Sequence, residues 1–247
     1  MNAPVRRALV LAAGMGTRIG VEVPDLPKPL IELGGRSILE RNLVRLAAAG
    51  VQVAWINLHH RGEAIESRIR DGRGYGLEAR YSREATLLGT AGAAKRLTPE
   101  LSGQAFYVVY SDNLTSVDLR AMARQHRARG SIVTIAAFDP ELTANSGIAG
   151  GRVDATAGRG IVSFREGGGG RFVNAGVYLL DPMVLEAIPA AIPADFGRDV
   201  FPALLAAGRR LDVFVFSGFC LAVDTPAALA RARDIFQADA AVASGLA

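Results

Sequence analysis

The chain has 247 residues, half of them hydrophobic but only 6% aromatic, and a formal net charge of +4 at pH 7. That length suits one large α/β domain, or a domain and a half, around an aliphatic core, and the dispersed arginine excess reads as solvated surface rather than a nucleic-acid footprint. A single cysteine, Cys220, excludes an internal disulfide; with no charged-then-apolar leader and no run of about 18 apolar residues, a cytoplasmic protein with no membrane partner is expected.

Residues 8–13 form a short unbroken apolar run, which suits a strand buried on both faces. It ends at Gly14 and Gly16, spaced so that backbone N–H groups can close on a ligand. Arg18 adds a forked cation just past the turn, and Lys28, within Pro27-Lys28-Pro29, adds a point charge one short loop later. The combination describes a cradle for a triphosphate. A dinucleotide fingerprint (Gly14, Gly16, Gly20) would want an acid at the end of the second strand, and that strand, expected over 51–58, has none there. A P-loop would want Gly-Lys-Ser/Thr after the glycines, which is absent.

The spacing then predicts a helix over 37–49 with Leu39, Leu43 and Leu46 on one face, closed by Gly50. A second helix over 62–70 and a strand over 77–81 follow. Strands alternating with helices imply a parallel sheet covered on both faces. His59 and His60 read as loop residues, and His126, in an arginine-rich helix, as surface. Leu87-Leu88-Gly89-Thr90-Ala91-Gly92 opens the next helix; its glycines allow close backbone approach to a flat ring, and its N-terminus offers free N–H donors.

Residues 105–110 form the clearest buried strand, ending in Ser111-Asp112-Asn113 at the edge where open α/β sheets bind ligands. A carboxylate there can ligate Mg²⁺; the alternative is that Asp112 caps the helix expected over 117–129. After a strand over 131–138, residues 140–171 turn glycine-rich and read as an inserted lid. The strand over 172–180 carries Asn174 amid apolar neighbours, where it needs a hydrogen-bond partner. Residues 182–188 and 199–207 look helical, 211–216 and 219–223 look like an antiparallel pair, and a last helix, capped by Asp224 or Thr225, is expected from 227 to about 241.

In combination, Leu11-Ala12-Ala13-Gly14-Met-Gly16-Thr17-Arg18 with Pro27-Lys28-Pro29 resembles the signature of the sugar-1-phosphate nucleotidyltransferases. The likeness recurs at Leu88–Gly92, Ser111–Asn113, Asn174–Gly176 and Asp224–Pro226. It implies a Rossmann-like three-layer αβα sandwich with a mostly parallel, mixed central sheet, as a single domain over 1–247 whose segment 140–171 is a sugar-side lid, without a β-helical extension. It implies transfer of a nucleoside monophosphate from a nucleoside triphosphate to a sugar 1-phosphate, with Mg²⁺ as cofactor and a homodimer as a candidate assembly. Arg18 and Lys28 would act catalytically on the phosphates. Leu11, Ala12, Ala13, Gly14, Gly16, Thr17, Leu88, Gly89 and Gly92 would bind the nucleotide, and Asn113, Gly147, Glu166 and Asn174 the acceptor. Asp112 and Asp224 would hold the metal.

Two positions depart from the family pattern. Its second metal carboxylate falls at 222, which is Ala222 here; Asp224 is the nearest acid on the same strand face and the expected replacement. At Phe164-Arg165-Glu166-Gly167 the family's lysine is absent, and Arg165 or Arg171 is expected to stand in. The form of the 88–92 loop leans toward guanylyltransferases for mannose or heptose 1-phosphate. Cytidylyl transfer to a non-sugar phosphate and a non-catalytic nucleotide-binding role remain as alternatives.

Overall fold

A computed structural model describes residues 4–14, 26–148, 150–156 and 160–238. Their strands are β1 (Arg7–Leu11), β2 (Glu32–Leu33), β3 (Arg36–Ser37), β4 (Val53–Leu58), β5 (Glu78–Arg83), β6 (Phe106–Tyr110), β7 (Asn113–Thr115), β8 (Val133–Phe138), β9 (Ala144–Asn145), β10 (Arg152–Thr156), β11 (Gly160–Arg165), β12 (Phe172–Leu180), β13 (Leu211–Val215) and β14 (Phe219–Ala222). The α-helices are α1 (Ile38–Ala49), α2 (Gly62–Ile69), α3 (Thr90–Arg96), α4 (Thr98–Leu101), α5 (Leu119–Arg129), α6 (Phe201–Ala206) and α7 (Pro226–Ala238).

The central sheet is mixed. β5, β4, β1 and β6 run parallel in that spatial order. β12 lies antiparallel beyond β6, with β8 on its other side and β13 parallel to β8. The hairpin β10–β11, inside segment 140–171, joins the same sheet through Arg152–Val173 and Val153–Phe172.

Alternation along the buried strands feeds two cores, which is why helices cover both faces. Ala8, Val10, Tyr107 and Val109 pack under α1, α2 and α5. Leu9, Phe106 and Val108 face the opposite way, toward α3, α4 and α6. The result is the three-layer αβα sandwich. A smaller cluster joins α7 to β14 through Leu221, Leu229 and Phe236.

Helix ends follow local chemistry. Ser37 and Glu40 form a reciprocal capping box on α1, and Gly50 ends it in the left-handed region at φ 104°. Asp118 caps α5 by accepting from the Ala121 N–H at 2.9 Å. Thr225 caps α7, its Oγ1 accepting from the Ala228 N–H at 3.2 Å.

Two expectations are corrected. The segments near 211–216 and 219–223 are not partners. β13 joins β8, where the fully buried Asp212 accepts from Arg129 Nη1 at 2.9 Å, from Arg210 Nε at 3.0 Å and from the Ser131 hydroxyl. A turn at Gly218, φ +111° and pressed on Ser116, then sends β14 into a separate three-stranded sheet with β7 and β9. His126 is not surface: it is 5% exposed and hydrogen-bonds Thr134 Oγ1 at 2.8 Å. Its position in the helix turns it onto β8, among apolar neighbours that the local arginine content does not reveal. Among the described residues, no helix is long and apolar enough to cross a membrane.

Candidate active site

The carboxyl ends of the parallel strands open into a cleft of about 460 Å³. Leu11, Ala12, Ala13 and Gly14 form one wall, continuing straight out of β1. Asn57, at the end of β4, accepts from the Ala12 N–H at 2.7 Å and donates to Glu84 Oε1 at 2.8 Å. The other Glu84 oxygen accepts from the Leu88 N–H at 3.1 Å. One buried chain of amide and carboxylate therefore ties the glycine turn to the 87–90 loop across the cleft. Asn57 and Glu84 both line it, and neither was singled out from the sequence. A polar residue at the carboxyl end of each of two neighbouring strands was the available signal.

The 87–92 segment differs from expectation. The N–H groups that open α3 are not free donors: Thr90 N–H goes to Asp195 Oδ1 at 3.1 Å, and those of Ala91 and Gly92 go to the Ala194 carbonyl at 2.9 and 3.1 Å. Gly89 has φ +79°, and a Cβ there would lie 2.3 Å from the Ala194 oxygen, so this glycine serves an approach by protein backbone. Gly89 still lines the cleft together with Leu87, Thr90, Pro193 and Asp195, whereas Leu88 and Gly92 are not part of its lining. The helix terminus needed these partners because its first N–H groups have none within the helix.

A second cleft of about 320 Å³ lies alongside. Asn113, Gly147, Glu166 and Asn174 line it, and Tyr110, Asp112 and Asp224 line both clefts. Asn113 is fixed by donating to the Ala175 carbonyl at 3.2 Å. Asn174 finds partners within its own strand: its Oδ1 accepts from the Gly176 N–H at 3.0 Å and its Nδ2 donates to the Tyr178 hydroxyl at 2.7 Å, across an irregularity in the β12 register. The Glu166 carboxyl packs on Gly151 and Gly197. Burial, with Asp195 nearby, raises its pKa above the usual carboxylate range.

The wall between the clefts is charged. Lys28 Nζ lies 2.8 Å from Asp224 Oδ1 and 4.0 Å from Asp112 Oδ2. Since Asp118 caps α5 and Thr225 caps α7, neither Asp112 nor Asp224 is needed as a helix cap. Ala222 lines the second cleft, with its backbone N–H and carbonyl both bonded to Ser146 Oγ, at 2.7 and 2.8 Å. Two carboxylates within reach of one ammonium form a hard-oxygen pair suited to a divalent cation that takes its remaining ligands from phosphates and water. Among the described residues, no cluster of three or more His, Cys, Asp or Glu offers a fully protein-made metal site.

Gly16, Thr17 and Arg18 lie outside the described residues. The expected substitutes for the absent lysine are placed elsewhere. Arg171 donates to Asp139 at 3.4 Å and stacks on Phe172, Arg165 is exposed, and no Lys or Arg among the described residues lines the second cleft.

A doubly covered mixed sheet, with paired ligand clefts along the carboxyl ends of its parallel strands, defines an α/β nucleotide-binding protein of the doubly wound class. Residues 7–236 match the family model described as nucleotidyl transferase, and the chain belongs to that family. It is 31% identical over 220 residues to a UTP–glucose-1-phosphate uridylyltransferase of Synechocystis, covering 82% of this chain and 56% of the relative. A mannose-1-phosphate guanyltransferase of Aspergillus fumigatus is 30% identical over 230 residues, covering 89% and 61% respectively. The chain thus spans between half and two thirds of the length of these relatives. Among solved structures, HddC from Yersinia pseudotuberculosis superposes with a TM-score of 0.78 at 22% identity, covering 94% of this chain and all of that one. The inositol-1-phosphate CTP transferase from T. maritima gives 0.76 at 18%, covering 96% and 97%. Both share the fold.

Proposed function

We propose that this protein transfers a nucleoside monophosphate from a nucleoside triphosphate to a sugar 1-phosphate, releasing pyrophosphate. The observation that carries this reading is the shared wall: two clefts, one for each substrate, meet at Asp112 and Asp224, with Lys28 beside both carboxylates on the side of the first cleft. An oxygen of the acceptor phosphate attacks the α-phosphorus, a new P–O bond forms, and the bond from that phosphorus to the bridging oxygen of the β-phosphate breaks. The nucleophile arrives ionised, so no side chain has to take a proton. The protein's work is alignment and charge stabilisation. Lys28 would neutralise charge near the α-phosphate, and Arg18 would hold the β- and γ-phosphates. Asp112 and Asp224 would hold Mg²⁺, which neutralises phosphate charge when bound.

GTP is the donor we favour, on the form of the 88–92 loop and on the guanyltransferases among the relatives, with mannose or heptose 1-phosphate as acceptor. A second reading, cytidylyl transfer to a non-sugar phosphorylated alcohol, is favoured by the absence of any cation along the second cleft among the described residues. Pyrophosphate release, measured for four triphosphates against mannose 1-phosphate, heptose 1-phosphate, glucose 1-phosphate, phosphocholine and inositol 1-phosphate, with and without Mg²⁺, decides between them. We expect Mg²⁺-dependent release with GTP and a hexose or heptose 1-phosphate. Release only with CTP and an alcohol phosphate would select the second reading, and none with any pair would leave a nucleotide-binding protein without this activity.

A further inference from the structure

Tyr110 stands between the two clefts and belongs to neither motif that defines them. It ends β6 and lines both cavities, and its ring is clamped rather than loose. On one side is Gly176, φ +71°, where a Cβ would come within 2.9 Å of the Tyr110 ring and 2.8 Å of Asn113 Nδ2. On the other side the edge of Tyr178 meets it at 5.8 Å between centroids, with the planes 78° apart. Tyr178 packs in turn against Phe196 and Phe201 at 5.8 and 5.1 Å.

The polar atoms of this group form a line out of the second cleft. Asn174, in the second cleft, donates through Nδ2 to the Tyr178 hydroxyl at 2.7 Å. Tyr178 has one proton and directs it to the Tyr110 hydroxyl across 3.5 Å, which is long for such a bond. Tyr110 itself lines the first cleft, and so does Thr90. Thr90 Oγ1 accepts from the Phe196 N–H at 3.0 Å and donates to Asp195 Oδ1, also at 3.0 Å. Asp195 pairs in turn with Arg198 at 3.0 Å.

We propose that Tyr110 is a positioning residue shared by both substrates: Tyr178 and Asn174 tie its hydroxyl to the acceptor cleft, and Tyr110 itself forms part of the wall of the nucleotide cleft, so that each substrate tightens the other. A ligand hydroxyl that donates to the second lone pair of Asn174 Oδ1 polarises that amide and strengthens its donation to Tyr178, and the long Tyr178–Tyr110 link is where the line has most to gain. The inference rests on the two-substrate transfer reading given above.

The test is binding rather than turnover. Dissociation constants of the α,β-methylene analogues of four nucleoside triphosphates are measured with Mg²⁺, with and without mannose 1-phosphate, for the wild type, Tyr110→Phe and Tyr178→Phe. Both variants keep the aromatic packing and remove one hydroxyl; Tyr178 lines neither cleft. In the wild type, mannose 1-phosphate should tighten the preferred analogue by at least about 5-fold, the lower end of ordinary site-to-site coupling. In each variant that factor should fall toward one, and in Tyr178→Phe, a change outside both linings, the analogue alone should bind within about 3-fold of wild type. Wild-type coupling that survives in both variants would overturn the proposal, as would a wild type that binds an analogue with no coupling. A wild type that binds no analogue at all would remove the transfer reading and this inference with it.

Discussion

Asp224 sits where β14 has ended and α7 has not begun, a position free of sheet register and, with Thr225 as the cap, free of helix chemistry. Its oxygen lies 2.8 Å from Lys28, a residue 196 positions earlier in the chain. If Asp224 has taken the place of the acid missing at Ala222, Asp224→Asn should lower kcat by roughly 100-fold, comparable to Asp112→Asn and to the removal of one preorganised charge partner at a reacting phosphate. The double variant should be little worse than either single, because groups that hold one ion act as a unit. Introducing Asp at 222 in the Asp224→Asn background should restore part of the rate, and the Mg²⁺ concentration needed for half-maximal activity should rise in the single variants. Full activity in Asp224→Asn would leave Asp112 alone on the metal.

Helix α5 shows how an element can carry a pH dependence that its composition hides. Burial, against the opposing effect of Asp181, holds the His126 ring neutral with a pKa pushed down to about 4 from an ordinary 6.5. The unfolded chain takes up the proton first as pH falls, so stability should decline between pH 6.5 and 4, by at most about 3 kcal/mol for a shift of this size. Glu40 behaves in the opposite sense. Burial would raise its pKa, but Arg68, the Ser37 N–H and Tyr75 bring it down to about 2, so its contribution is present above pH 4.5 and lost below, as pH falls toward 2. Urea unfolding of the wild type and His126→Gln across pH 3 to 8 separates the two. The variant should lack the decline between 6.5 and 4 and keep the loss below 4.5. An unchanged slope in His126→Gln would mean that the ring is protonated in the folded protein.

At the scale of the whole molecule, the first cleft draws its lining from 11–14, 28–29, 57, 84, 87, 89–90 and 110–112, and again from 193, 195 and 224. A ligand bound there bridges the early and late parts of the chain and should stabilise the fold by mass action. At a hundred times its dissociation constant a triphosphate adds about 2.7 kcal/mol. For a chain of this size that corresponds to a rise in Tm of roughly 5–10 °C. GTP with Mg²⁺ should give that rise, the other triphosphates less, and EDTA should abolish most of it. An equal shift in EDTA would show that binding does not depend on a metal held by Asp112 and Asp224.

Short-range rules made much of this protein legible from its sequence. The apolar run into Gly14, the leucine face of α1 with its Gly50 stop, and the polar stop after β6 are settled within about ten residues by sterics, periodicity and hydrogen bonding. The motifs also pointed to the nucleotidyl transferase family, because residue types at fixed spacing encode a chemistry. Tertiary structure alone decided the rest. The carbonyl of Ala194 takes the N–H donors of α3, so Gly89 answers to a loop more than a hundred residues away. Asn57 and Glu84 meet only because β4 and β5 are neighbours, and β13 lies along β8 rather than β14, where Asp212 meets Arg129 from 83 residues earlier. His126 is buried by a strand that its own helix cannot specify. In each case the deciding contact joins segments whose proximity depends on the sheet being assembled, and local sequence carries no record of which distant atom will be left needing a partner.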